Sequence, residues 1–155
     1  YSLYLDALED WYRENLSPDW SEMRREAMYI LQRAAELQEI VRLVGPEALS
    51  EHQRAILEAA RMIREDFLMQ HAFHKVDTYC PYEKTYRMLR VILTFYREMK
   101  KAVEAGVAVK DVMKLPIVEE ISRMKIVPPD EFAPLAERLE REVVEQIRSL
   151  VRGAS

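Results

Sequence analysis

At 155 residues, with 49% hydrophobic and 32% charged residues, the chain is long enough for one domain that buries roughly 70% of its unfolded surface. A net charge of −4 with Lys and Arg mixed among Glu excludes a polybasic face for nucleic acid or an anionic membrane. Only 3 glycines exclude a glycine-rich phosphate loop, and the single cysteine, Cys80, excludes an internal disulfide and suits a reducing compartment.

The periodicity predicts helices throughout, built from Leu, Glu, Arg, Ala and Met. Residues 3–13 read as a short helix with Leu3, Leu5, Leu8, Trp11 and Tyr12 on its apolar side. Asn15 to Pro18 breaks it, and Asp19 is expected to cap a long helix to about Val44. Its buried stripe would be Met23, Ala27, Ile30, Leu31, Ala34, Leu37, Val41 and Val44. Gly45 and Pro46 stop it. Ser50 with Gln53 forms a capping-box pattern for a helix over about 50–70, with Ile56, Ala59, Ala60, Ile63 and Phe67 inward. At 1.5 Å per residue such a rod is about 30 Å long.

The run DFLMQHAFHKVDTYC, Asp66 to Cys80, makes a corner, and Pro81 opens the next helix, to about Ala105. Tyr82, Tyr86, Leu89, Ile92, Leu93, Tyr96 and Met99 line that helix, and Gly106 ends it. One helical turn follows at 109–114, then a short helix from Pro116 to about Lys125. Val127, Pro128 and Pro129 form an extended link. Asp130 is expected to cap a final helix to about Val151, with Leu135, Leu139, Val143, Ile147, Leu150 and Val151 on one side. The fold class is all-α: an irregular bundle of five to seven helices in a single domain. The chain starts at Tyr1 in mid-pattern, so it is expected to be a fragment of a longer polypeptide. No 18-residue apolar run occurs in the sequence, so no membrane insertion is expected.

The corner holds the residues most suited to a ligand. His71, His74, Asp77 and Cys80 recur at a spacing of three and would stack four metal-capable side chains on a helix. Phe73, Val76 and Tyr79 share that spacing, and the apolar set is the better candidate for the inward side, so no metal site is assigned. Phe73 and Tyr79 read either as core aromatics or as a slot for a flat heterocycle. Stacking on a ring is worth about 1–3 kcal/mol per base in nucleic-acid binders. Residues 45–53, GPEALSEHQ, read locally as a plain helix–loop–helix connector.

Taken with LVGPEALSEHQ upstream and EKTYRMLRVILTFY downstream, the corner resembles the C-terminal helical domain of the catalytic A subunit of archaeal-type (V/A-type) rotary ATPases and ATP synthases. The likeness runs from YSLYLDALEDWY to VEEISRMK; the helix after Asp130 is generic. It implies that residues 1–18 are a junction and short first helix following an absent nucleotide-binding domain, and that residues 19–155 are the C-terminal bundle. It implies further that Phe73, Val76 and Tyr79 close on the adenine of ATP or ADP. The loop containing Gly45, Pro46, Glu47, Ser50, Glu51, His52 and Gln53 would meet the central-stalk rotor, where β-type subunits carry an acidic DELSEED loop. Leu49, Ser50 and Glu51 are retained here, while His52 and Gln53 replace acidic residues.

The resemblance implies a parent subunit that uses ATP or ADP with magnesium. That subunit would couple nucleotide binding to proton or sodium translocation beside regulatory B subunits, in the cytoplasm and peripheral to the membrane. No GxxxxGK[ST] motif is present, so the fragment itself holds no cofactor and is not expected to hydrolyse ATP. The alternative is a free-standing helical adaptor that uses its 8 methionines to line a groove for a partner helix.

Overall fold

The computed structural model describes residues 19–68 and 82–154. Among them are six α-helices and no strand, so the all-α class holds and the count lies in the expected range. They are α1 (Trp20–Val44), α2 (Glu51–Met62), α3 (Tyr82–Glu104), α4 (Val109–Val112), α5 (Pro116–Arg123) and α6 (Phe132–Ala154). Three 3₁₀ turns, Pro46–Ala48, Met124–Ile126 and Pro129–Glu131, join them. The predicted helix over 3–13 and residues 69–80 of the corner, with Pro81 after it, lie outside the described residues.

α3 is the centre, packed on α6, α2 and α1. Its sequence suggests one stripe, yet Met88, Val91 and Phe95 are buried as fully as Leu89, Ile92, Leu93 and Met99. The apolar face is wide enough to meet α6, α2 and α1 together, while Glu83, Arg90, Arg97, Lys100 and Lys101 stay exposed. Tyr86, expected in the core, is only half-buried because its hydroxyl donates to the Asp19 carboxylate (3.0 Å). That bond also corrects the reading of Asp19. The residue stands at the head of α1, but its side chain caps no first-turn N–H. Its ψ of 1° lies far from the extended value that a side-chain cap requires.

α1 buries Met23, Ala27, Ile30, Leu31, Ala34 and Leu37, as its periodicity predicts, and Trp20 besides, while Val41 is half-buried. Val44 departs from the stripe: it is 65% exposed, and Leu43 is 69% exposed. The segment that follows, Pro46–Ala48, has no buried residue and cannot cover them. Gly45 turns the chain at φ 92°, ψ 159°, a region closed to other residues, and its N–H donates to the Val41 carbonyl. The capping box forms as expected: Ser50 Oγ accepts the Gln53 N–H (3.2 Å) and Gln53 Oε1 accepts the Ser50 N–H (2.9 Å).

The predicted inward set of α2 is buried throughout, including Ile63 and Phe67. The rod is not uniform, however. Its α-ladder spans Glu51–Met62, about 18 Å at 1.5 Å per residue, and the helix then widens into a π-helical segment, Ile63–Leu68. At the far end of α3, Gly106 (φ 98°) sits in a Schellman turn in which the Val107 N–H donates to the Ala102 carbonyl (3.0 Å).

α6 starts at Phe132 rather than after Asp130. Pro129 fixes a 3₁₀ turn in which the Glu131 N–H donates to the Pro128 carbonyl, and Asp130 is spent inside it. α6 carries Ala136, Leu139, Val143 and Ile147 inward, while Leu135, Leu150 and Val151 sit at the edge of the core. Buried Glu98 of α3 clamps α6 by accepting from the Arg148 guanidinium (3.2 Å), with Lys101 also in reach (3.3 Å).

Candidate functional site

The α1–α2 hairpin places the predicted rotor-contact residues at its tip and divides them by task. Pro46, Glu47, Ser50 and His52 are exposed. Gly45 makes the turn and Gln53 closes the capping box. Glu51 is committed to the fold: its Oε1 accepts the N–H of Val109, the first residue of α4 (2.7 Å), and its Oε2 lies 3.3 Å from Arg54 Nε. Arg54 in turn donates to the Pro46 carbonyl (2.9 Å). The loop is therefore braced from α4, and its outward surface is continuous with exposed Leu43 and Val44. Sequence reasoning misses those two, because periodicity puts Val44 on the buried stripe. Their position in the last turn before a Gly-Pro break is the available signal. An open groove of about 660 Å³ runs from this tip toward α4, lined by Val41, Leu49, Leu57, Val109 and Met113 among others.

Phe73, Val76 and Tyr79 lie outside the described residues, as do His71, His74, Asp77 and Cys80. The segments that flank the corner are described. On the entry side, Asp66 and Phe67 in the π-helical segment are buried. Burial pushes the Asp66 carboxyl above its ordinary value of 3.8, and the nearby Lys125 and Arg61 charges offset this only in part. Lys125 Nζ stands 3.8 Å from Asp66 Oδ1 and donates to the Glu65 carbonyl (3.3 Å). On the exit side, buried Lys84 in the first turn of α3 donates to the Lys125 carbonyl (2.8 Å), with its Nζ 5.4 Å from the centre of the Phe132 ring.

The buried charged side chains among the described residues, Asp66, Lys84 and Glu98, each meet a partner from another element. That is the pattern of clamps between helices rather than of a reactive centre. Among the described residues no group of three or more His, Cys, Asp or Glu is placed to hold a metal ion. No helix among them is long and apolar enough to cross a membrane.

A hairpin tip braced at one end of α2, with buried Asp66 paired to Lys125 beyond the other, is an arrangement to compare with known chains. The family described as the C-terminal domain of V and A type ATP synthase matches residues 9–113, a span that includes the hairpin, the corner, α3 and α4. The chain belongs to this family. It is 52% identical over its whole length to the A subunit of the A-type ATP synthase of Methanopyrus kandleri, covering 26% of that protein. It is 52% identical over 151 residues to the V-type ATP synthase alpha chain of Acetivibrio thermocellus, 97% of this chain and 26% of that one. To the A subunit of the A-type ATP synthase of Pyrococcus abyssi it is 56% identical over 128 residues, 83% of this chain and 13% of the other. The chain thus spans about a quarter or less of these relatives. In them the segment is one domain of a longer subunit, which leaves the free-standing adaptor without support. α5 and α6, with Lys125 between them, lie beyond the span that the family match covers.

Proposed function

We propose that this domain couples nucleotide occupancy to rotor position in the catalytic subunit of an ion-translocating rotary ATP synthase. Phe73, Val76 and Tyr79 hold the adenine of ATP or ADP, and the tip formed by Gly45, Pro46, Glu47, Ser50, Glu51, His52 and Gln53 meets the central-stalk rotor. The phosphates and Mg²⁺ belong to a nucleotide-binding domain outside residues 1–155, because this sequence has no phosphate-binding loop. Regulatory B subunits flank the domain, and the whole stays peripheral to the membrane on its cytoplasmic side.

One observation supports the reading most: two large apolar side chains, Leu43 and Val44, are left uncovered beside a polar loop that is itself fastened to α4 through Glu51. A fastened polar tip with an uncovered apolar flank suits a surface that presses on a partner. Coupling of this kind requires that rotor and nucleotide each favour a different orientation of one body, and the interaction is then reciprocal.

Shortening the loop at 45–53 in the intact complex tests the tip. Hydrolysis is expected to continue while rotation per ATP falls; normal rotation with the loop removed would refute the assignment. Phe73→Ala with Tyr79→Ala is expected to weaken ATP binding by about 1–3 kcal/mol per lost stacking ring, and unchanged affinity refutes the adenine assignment.

A further inference from the structure

We propose that the groove between the α1–α2 hairpin and α4 is a docking site for an acidic amphipathic helix of a partner protein. The inference goes beyond the function proposed above and needs neither the adenine nor the rotor assignment. The groove encloses about 660 Å³ and opens to the surface. Its floor is apolar: Leu49 and Val109 are buried, while Val41, Leu57 and Met113 are half-buried, packed on the core and bordering the groove. These side chains come from α1, the hairpin tip, α2 and the α4 region, so the floor exists only in the packed chain. Glu51 holds its two walls together, since its Oε1 accepts the Val109 N–H at 2.7 Å. The trough is thus in place before anything enters it, which spares a partner the cost of ordering it.

The rim selects the occupant. Both carboxylates that border the groove are engaged within the chain: Glu51 by the Val109 N–H and Arg54, and Glu58 by Arg61 at 2.9 Å. Arg54 is engaged as well, donating to the Pro46 carbonyl at 2.9 Å. Lys110 and Lys114 border the groove, are exposed, and meet no hydrogen-bond or ion-pair partner among the described residues. Asp111, between them in sequence, does not line it. The charge left free at the groove is therefore positive, on a chain whose net charge is −4. Lys110 and Lys114 are four residues apart through helical backbone, so they share one side of α4, about 6 Å apart along its axis. A matching partner carries two carboxylates one helical turn apart. The same partner helix lays an i, i+3, i+4, i+7 apolar stripe on the floor. None of the lining residues is aromatic, so bases of a nucleic acid find no ring to stack on.

The test uses the isolated full-length catalytic chain, without rotor or nucleotide, and fluorescence anisotropy. The probe is a synthetic peptide of about 18 residues, long enough to hold a helix. It carries leucine at i, i+3, i+4 and i+7 and two glutamates four residues apart on one flank; its control has lysine for each glutamate. The acidic peptide is expected to bind saturably and at least about tenfold more tightly than the control, less so as salt rises from about 0.05 to 0.5 M. Lys110→Glu with Lys114→Glu is expected to reverse the preference, and because both side chains are exposed the variant is expected to fold as the parent does. Met113→Gln in the floor is expected to weaken the acidic peptide about fivefold. Equal affinity for the two peptides, or a preference that survives the double reversal, overturns the proposal. Self-association of the chain in sedimentation, abolished by the double reversal, also overturns it, since the occupant is then a second copy.

Discussion

Replacing Glu51 with alanine removes the acceptor that ties the hairpin tip to α4. The structure sets the size of the effect. Val109 is buried, its N–H is the first of α4, and Ala108 ahead of it offers no side-chain cap. The Glu51 carboxylate at 2.7 Å therefore acts as a helix cap supplied from another element. Its loss strands a buried donor, which costs about 1–3 kcal/mol. The accompanying pair with Arg54 is 38% and 43% exposed and adds little, well under ~1 kcal/mol. In a chain of this length each kcal/mol lowers Tm by roughly 2–4 °C, so Glu51→Ala is expected to melt about 2–12 °C lower. Glu51→Gln keeps a carbonyl acceptor in place and is expected to lose less than half as much. Urea unfolding followed by circular dichroism measures both. A Glu51→Ala midpoint within about 0.5 kcal/mol of the parent, or a Gln variant as unstable as the Ala variant, refutes the capping role. The comparison also separates two ways of damaging the tip. Exposed His52→Ala is expected to leave stability unchanged, so any loss of rotor coupling in that variant is a loss of contact rather than of bracing.

Gly45→Ala is expected to cost about 1–3 kcal/mol, because a side chain at φ 92° is strained and the new Cβ would stand 2.9 Å from Glu47 Oε2; an unchanged unfolding midpoint would refute the constraint. Arg148→Ala removes one of the two cations that face buried Glu98 and is expected to cost about 1.5–3 kcal/mol by urea unfolding, against little change for Arg42→Ala, whose ion pair is exposed. Asp66 sets a pH dependence. Its carboxyl is raised by burial, so the folded chain binds the proton more tightly than the unfolded chain. The stability that it contributes is present below about pH 3.8 and is lost as pH rises through the raised folded value. The stability of the parent relative to Asp66→Asn is therefore expected to fall as pH rises from about 4, and a difference that grows instead reverses the sign of the reasoning.

What the sequence discloses here is what depends on neighbours within a turn or two. Ser50 and Gln53 are three residues apart, and their reciprocal bonds follow from that spacing alone. Gly45 and Gly106 mark helix ends because no other residue takes a φ above 90° without strain. The periodic stripes of α1 and α2 face inward as read. The misreadings share a cause. Asp19 looks like a cap until Tyr86, 67 residues away, offers its hydroxyl. Val44 looks inward by period, but period cannot say where the covering elements stop. Asp130 looks like a cap, but the proline before it starts a 3₁₀ turn first. Glu51 looks like part of an outward loop, while its carboxylate is engaged 58 residues along the chain. The roles proposed for Phe73, Val76 and Tyr79 rest on the family resemblance, because no local pattern decides between core and ligand. The convergence of Asp66 and Lys84 on Lys125 is not legible in the sequence at all, since it exists only once three separate segments are packed.

The two arms of the hairpin differ in build. α1 runs 25 residues without a glycine or proline, an unbroken strut of roughly 38 Å. α2 keeps its α-ladder for 12 residues and then changes hydrogen-bond register at Ile63. The two arms thus meet a load at Pro46 differently: the first is one continuous α-helix, and the second changes its backbone register in a segment that is itself packed, with Ile63, Asp66 and Phe67 buried. The second arm carries the chain from the exposed tip straight to buried Asp66, so a push at one and a shift at the other fall on a single continuous stretch of backbone.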